Sequence, residues 1–570
     1  MKISSIKKMM AALAVASLGL GGLPLTAQQV QHLTITQPGG MPGLPVMTGI
    51  IQLSNGVQLT WSGPSGYYQV FQKSNNLNAA WVALGKSTNL ACTATITKLY
   101  SNAFFRVSGP APKYAGYQLC LECHNNVCRY VTNTAHASAF SNPDFKAAGG
   151  QNNASCLPCH TVGYGLPTGF VSATATPRLA NVQCENCHGP AANHAANPDD
   201  FTVVPRVDIA ATVCGGCHSA SHTAYNNAPT YEEWSSSGHA AVVPDVLQSM
   251  ASNTNNIRSC GVCHSGSARL AMIGGKNPAI TLTKDYNVPI TCAVCHNPHQ
   301  TNSSPDQLRN PVSSTNYFAL TSADTATVAA FTNKYNASIN INVCAQCHND
   351  RGATWVDTSR APHHSLQYNF LLGSVGELLN GPATFSPSPH GGLPSSARYS
   401  FSGTFYLTNQ CASCHMQSDN SNAGNHSFAV ASDAVCYNCH STPPELLQAE
   451  LTLSISNSVT TLLTSLNQWA ARQTNSLLAT NGVVAWEYTT PGGLTWQSDS
   501  AGIVTSWSLN NPVTFTGPNS AGQALIPDQI KRARFNLYLV LNDGSFGVHN
   551  HALEVNLLNA AQIWILQVLQ

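Results

Sequence analysis

The chain has 570 residues, of which 43% are hydrophobic and only 9% charged, with a net charge of +1. That length has room for three or four domains. So apolar and weakly charged a chain is not of the disordered class. It carries no basic patch for nucleic acid and no polybasic anchor for a membrane surface.

Residues 1–27 read as a secretory signal, with Lys2, Lys7 and Lys8 ahead of an apolar run from Met9 to Leu25. Gly19, Gly21, Gly22 and Pro24 break that run, which is short for a span. Cleavage after Ala27 is expected, leaving an exported chain, periplasmic or at the cell surface, with no integral membrane span.

Residues 28–110 read as a small β-sandwich. Val57, Leu59 and Trp61 alternate with polar residues, Gly63-Pro64 and Ser65-Gly66 mark turns, and Tyr68, Val70, Ala94–Ile96 and Phe104–Val107 continue the strand character. Strands at about ten-residue spacing fit a sandwich. Cys92 here and Cys128 further on either pair or remain two free thiols.

Residues 111–445 hold most of the twenty cysteines. Eighteen form nine C-x-x-C pairs, each followed directly by histidine: Cys120/Cys123, Cys156/Cys159, Cys184/Cys187, Cys214/Cys217, Cys260/Cys263, Cys292/Cys295, Cys344/Cys347, Cys411/Cys414 and Cys436/Cys439. C-x-x-C-H is the signature of covalent haem c attachment. On one helical turn the two thiols and the histidine share a face, so the thiols can bond the haem vinyls while the imidazole reaches the iron. Zinc knuckles also use paired C-x-x-C, but nothing in zinc chemistry requires histidine at the next position. Nine covalently bound haems c are therefore expected, at about 36 residues each, with short helices around the motifs, long loops, and porphyrin forming much of the core.

The motif histidines His124, His160, His188, His218, His264, His296, His348, His415 and His440 are the proximal ligands on this reading. Methionine is the main rival for the opposite face, but only Met250, Met272 and Met416 lie in the region. Histidines suffice: His136, His194, His222, His239, His299, His390, His426, His549 and one of His363 and His364 give nine distal candidates, leaving His32 and His551 over. Iron with two imidazoles is low-spin and coordinatively full, so it passes electrons and binds no substrate. Gly189-Pro190 turns the chain after His188, and six residues reach about 20 Å only when extended. His194 is therefore expected to serve a neighbouring haem.

Residues 446–570 read as a helical region packed on the haem domain. Leu446, Leu447, Leu451, Leu453, Val459, Leu462, Leu463, Leu466 and Trp469 recur at helical spacing. A loop is expected from Trp486 to Asn519, a second helix from Pro527 and a third from Ala552 to Leu569. The fold class is thus mixed: β-sandwich, loop-rich α domain, helical cap.

Several stretches carry a resemblance: Val182-Gln-Cys-Glu-Asn-Cys-His-Gly-Pro with His194, Tyr231-Glu-Glu-Trp with Ser237-Gly-His239-Ala, Ile290-Thr-Cys-Ala-Val-Cys-His-Asn-Pro-His299, Cys411-Ala-Ser-Cys-His-Met416 and Gly547-Val-His-Asn550. They resemble the multihaem cytochromes c that include pentahaem nitrite reductase and octahaem hydroxylamine oxidoreductase. Residues 28–110 resemble fibronectin-III-like modules. The first resemblance implies stacked haem pairs whose distal ligands come from segments serving neighbours. No C-x-x-C-K occurs, the motif that marks the catalytic haem of those nitrite reductases.

The reading is an exported nonahaem relay with no catalytic residue, exchanging electrons with redox proteins of the cell envelope. Self-assembly through its neutral Asn/Ser/Thr-rich surface is a further expectation. The alternative is an oxidoreductase acting on nitrite, hydroxylamine or a sulfur oxyanion at one five-coordinate haem.

Overall fold

The computed structural model describes residues 46–53, 56–62, 67–74, 82–88, 93–96, 103–108, 113–200, 203–220, 229–282, 285–299, 307–309, 343–384, 386, 388–391, 398–401, 404–407, 411–417, 424–430, 433–438, 440, 442–492, 495–508 and 516–570. The signal segment, His32, Cys92, His222 and Cys439 lie outside these residues. The described chain is mainly helix and loop with few, small sheets. It divides into two compact units, residues 1–232 with 291–308, and residues 233–290 with 309–570. The motifs at Cys120, Cys156, Cys184, Cys214 and Cys292 fall in the first; those at Cys260, Cys344, Cys411 and Cys436 fall in the second.

In the first unit, the alternating stretch forms β2 (Gly56–Ser62), paired antiparallel with β1 (Val46–Leu53) and β5 (Thr93–Ile96). A second three-stranded sheet sets β3 (Tyr67–Ser74) between β4 (Val82–Thr88) and β6 (Ala103–Ser108). Val57, Leu59 and Trp61 of β2 share one buried cluster with Val70 of β3 and Phe105 of β6, which is the purpose of the period-two pattern. Beyond the strands, Tyr114, Phe140, Leu157, Val162, Phe170 and Leu179 form a separate small core around the first three motifs.

The second unit is built on three long helices. In α3 (Pro444–Ala471; α1, Tyr117–Val131, and α2, Cys184–His188, belong to the first unit), Ile455, Val459, Leu462, Leu466 and Trp469 recur at three- and four-residue steps and are buried on one face. Proline sits at its first turn, where the missing N–H costs nothing. α4 (Asp528–Asp543) ends on Gly544 in the left-handed conformation (φ 71°). α5 (His551–Leu569) is long and apolar enough to cross a membrane by length and composition, yet Leu557, Leu558, Ala561 and Ile565 lie in the core beside α3 and α4. That core also takes in Ala353, Leu366, Phe370 and Val375 of the motif region. Each fully buried Leu or Ile contributes on the order of 2 kcal/mol.

The stretch expected as a loop from Trp486 holds a hairpin, Thr495–Ser498 against Val504–Ser508, pairing Trp496 with Trp507. The Asp499 carboxylate builds its turn by accepting the N–H groups of Ala501 and Ile503, both at 2.9 Å. Just before it in the chain, the buried Glu487 accepts the Tyr538 hydroxyl at 3.0 Å, and Arg534 donates to the Trp486 and Glu487 carbonyls. Burial, opposed by those partners, pushes the Glu487 carboxyl up to about 7.

Candidate haem sites

The described part of each C-x-x-C-H stretch lies on or beside a helical segment, in most cases a single turn. These include α1 (Tyr117–Val131), which kinks at His124, α2 (Cys184–His188), and the turns Leu157–His160, Thr212–Gly215, Gly261–His264, Cys292–Cys295, Cys344–Gln346, Cys411–His415 and Asp433–Asn438. Among the described residues the motif cysteines enter no disulfide, and neither does the buried Cys128. Burial pushes Cys414 up to about 11, with Cys436 and Cys411 adding to the shift.

The motif centred on α2 is fixed by the two residues between its cysteines. The buried Glu185 carboxylate accepts the N–H groups of Ala115 (2.9 Å), Gly116 (2.8 Å) and Ala191 (2.7 Å). Asn186 donates to the Thr161 carbonyl at 2.9 Å and accepts the Gln183 N–H at 2.8 Å. The chain is thereby tied to the entry of α1 and to the residue after His160. Gln183 adds a third tie, accepting the Tyr117 N–H at 2.7 Å.

The fold sets motif histidines opposite rings from distant segments. In the first unit, His124 faces His194 with ring centroids 6.5 Å apart, His218 faces His136 at 5.9 Å, and His188 faces His299 at 5.7 Å. In the second, His348 faces His239 at 6.2 Å, His264 faces His364 at 5.9 Å, His440 faces His390 at 6.1 Å, and His415 faces His549 at 6.3 Å. His363 stacks on His364 at 4.4 Å, and its Nδ1 meets the Ser365 hydroxyl. The ring of His160 stacks on Phe145 at 4.0 Å, His296 follows the turn Cys292–Cys295, and His426 packs against Phe428.

The second ring nitrogen is mostly anchored. Nδ1 of His160, His188, His390, His415 and His426 lies 2.7–2.9 Å from the carbonyls of Ala139, Arg206, Val548, Phe428 and Gly424. A proton held on Nδ1 in this way puts the ring's basic lone pair on Nε2. Burial above all holds the rings neutral: His136, His264, His390 and His415 are pushed down, and His239 and His364 to about 4, neighbouring imidazoles adding to these last two. His549 departs from this. Burial pulls it down, but the charge and the 2.8 Å hydrogen bond of Asp543 together raise it to about 9.

Thiols of different motifs also meet. Cys120 hydrogen-bonds Cys184, Cys159 Cys217, and Cys214 Cys292 in the first unit; Cys263 hydrogen-bonds Cys347 in the second. The sequence reading did not foresee these contacts, nor the roles of Glu185, Asn186 and Asp543. The one available signal was that both residues between Cys184 and Cys187, Glu185 and Asn186, are strongly polar, whereas the other motifs carry at most one such residue there.

Residues 119–189 match the family model described as cytochrome c554 and c-prime. The chain is 26% identical over 117 residues to cytochrome c-554 of Nitrosomonas europaea, covering 18% of this chain and 50% of that protein. It thus spans about half the length of the curated relative it matches. Among solved structures it is similar to the outer cell wall cytochrome OcwA, with a TM-score of 0.47 and 17% identity over 79% of this chain and 99% of that one. The similarity to c-type cytochromes thus covers residues 119–189 of a chain whose C-x-x-C-H motifs continue to His440.

Proposed function

We propose that the protein is an exported nine-haem electron carrier whose irons are held between paired imidazoles. The observation that carries the reading is the set of seven histidine pairs with centroids 5.7–6.5 Å apart. A metal bonded to two imidazole nitrogens at about 2.0 Å each holds the two ring centroids about 6 Å apart. Each pair joins a motif histidine to a histidine from the distal set, so the residues fit the group. His160, His296, His222 and His426 complete nine proximal and nine distal ligands by count.

Bound haem supplies a reversible one-electron couple. The chain's own residues do the rest. Cysteines fix each site, backbone carbonyls orient the imidazoles, and thiol contacts such as Cys120 with Cys184 bring sites of one unit close together. With both axial positions filled, no site is left for a substrate, which favours transfer between envelope redox proteins over catalysis. On this reading residues 28–110 are a β-sandwich spacer, and residues 1–27 direct export. The finer kinship to the nitrite reductase and hydroxylamine oxidoreductase superfamily rests on the quoted motif contexts.

The test is electron paramagnetic resonance of the oxidised full-length protein, with haems counted by intact mass. Nine haems, all low-spin and unaffected by nitrite or hydroxylamine, are expected. A high-spin ferric signal that shifts on adding either ligand would overturn the reading.

A further inference from the structure

The loop between α4 and α5 is more tightly built than its length requires. Asp543, the last residue of α4, has a fully buried side chain, and its Oδ1 lies 2.8 Å from Nδ1 of His549. Its other oxygen accepts the Ser545 N–H at 3.3 Å. The Ser545 hydroxyl accepts the His549 N–H at 3.0 Å and donates to Glu554 at 3.1 Å, which also accepts the Gly547 N–H at 2.9 Å. Left-handed Gly544 and Gly547 close the turn, and Phe546 stacks on Trp507 at 3.8 Å. The imidazole of His549 is thus held rigidly against a carboxylate, with its far side toward His415.

The contrast lies in the chemistry of the acceptor. His160, His188, His390, His415 and His426 place their second nitrogen on neutral backbone carbonyls. A carboxylate draws the Nδ1 proton harder than a carbonyl does, which raises the basicity of the nitrogen left for the metal. A more basic ligand favours the ferric state. A buried negative charge near the iron disfavours an added electron for the same reason, since little solvent screens it. Both effects have one sign.

We infer that Asp543 is a positioning residue that lowers the reduction potential of the haem held by Cys411, Cys414 and His415, acting through His549. The inference rests on the proposed axial role of His549. It makes electrons less tightly held here than at an otherwise equal site with a carbonyl acceptor.

The experiment is a spectroelectrochemical titration of full-length holoprotein, wild type against Asp543→Asn. The amide keeps the size and still offers an oxygen to Nδ1, converting the acceptor to the neutral class. One reduction step is expected to move to higher potential, with at least a tenfold rise in that haem's ferrous-to-ferric ratio at fixed potential, about 59 mV for one electron. The other steps stay in place, and all haems stay low-spin. Titrations that superimpose would overturn the inference. His549→Ala separates the two layers. If it leaves every haem low-spin, the axial role of His549 fails, and any Asp543→Asn shift is then not transmitted through that ring. If it yields one high-spin haem while Asp543→Asn changes no potential, the ligand stands and the tuning fails. Should the Asn variant not fold, redox-difference infrared spectra of the wild type serve instead. A carboxylate band perturbed with a single reduction step is expected, and its absence at every step would sink the idea.

Discussion

The imidazole of His194 lies across from that of His124, with centroids 6.5 Å apart and planes 30° apart. Its nearest motif histidine in sequence is His188, whose ring instead faces His299 at 5.7 Å. The segment that follows one motif thus faces the histidine of another. Replacing His194 with Ala should give one equivalent of high-spin ferric haem belonging to the Cys120/Cys123 site. Removing that haem first, with Cys120→Ala and Cys123→Ala, should abolish the new signal, whereas removing the Cys184/Cys187 haem should not. Electron paramagnetic resonance of the combined variants reads the outcome directly.

Glu185 is predicted to be the most sensitive non-ligand residue of the first unit. Its carboxylate satisfies three buried N–H groups from two chain segments. Leaving each without an acceptor costs about 1–3 kcal/mol, so Glu185→Ala should destabilise by about 3 kcal/mol or more. A lowered thermal midpoint with unchanged axial spectra in the surviving holoprotein is expected. A midpoint equal to wild type would contradict the role.

The adjacent histidines His363 and His364 should respond differently. His364 faces His264 at 5.9 Å, while His363 is engaged at Nδ1 by Ser365, whose hydroxyl in turn donates to the Asn349 carbonyl. His364→Ala should create one high-spin haem and His363→Ala none. Magnetic circular dichroism in the near infrared distinguishes the two.

Glu487 predicts a pH dependence of stability. Its carboxyl is raised from the ordinary 4.5 to about 7, burial being the largest cause. Between those values the unfolded chain loses the proton while the folded chain keeps it, so stability falls as pH rises. The contribution is full below about pH 4.5 and gone above about pH 7, and over that window it amounts to about 3 kcal/mol. Glu487→Gln should flatten this part of the thermal midpoint–pH curve. An unchanged slope in the variant would rule Glu487 out as its source.

Much of the architecture was legible because it is local. The period-two run Val57, Leu59, Trp61 and the helical spacing from Val459 to Trp469 both write burial directly into sequence, and the strands and helix lie there. The strands Val46–Leu53 and Val82–Thr88 went unread, since Gly49 and Gly85 interrupt their pattern. The hairpin beyond Trp486 was hidden for another reason. Its turn depends on one aspartate side chain, which composition alone reads as loop. Within the sites, C-x-x-C-H is a contiguous signal and could be read outright. Which ring stands opposite His124 or His415 is decided by tertiary folding, which no spacing rule encodes. The same holds for Asp543, an ordinary acidic residue at a helix end until the turn at Gly544 brings His549 back onto it.

The facing of His415 by His549 has a consequence for how the protein matures. On the proposed ligation, the haem attached at Cys411 stays open on one side until a segment more than a hundred residues downstream has been delivered and folded. Attachment and completion become separate events, and the open site marks an unfinished molecule. The α4–α5 turn then acts as a checkpoint for assembly: only a chain whose carboxy-terminal helices have docked presents a fully closed site, inert to stray small ligands.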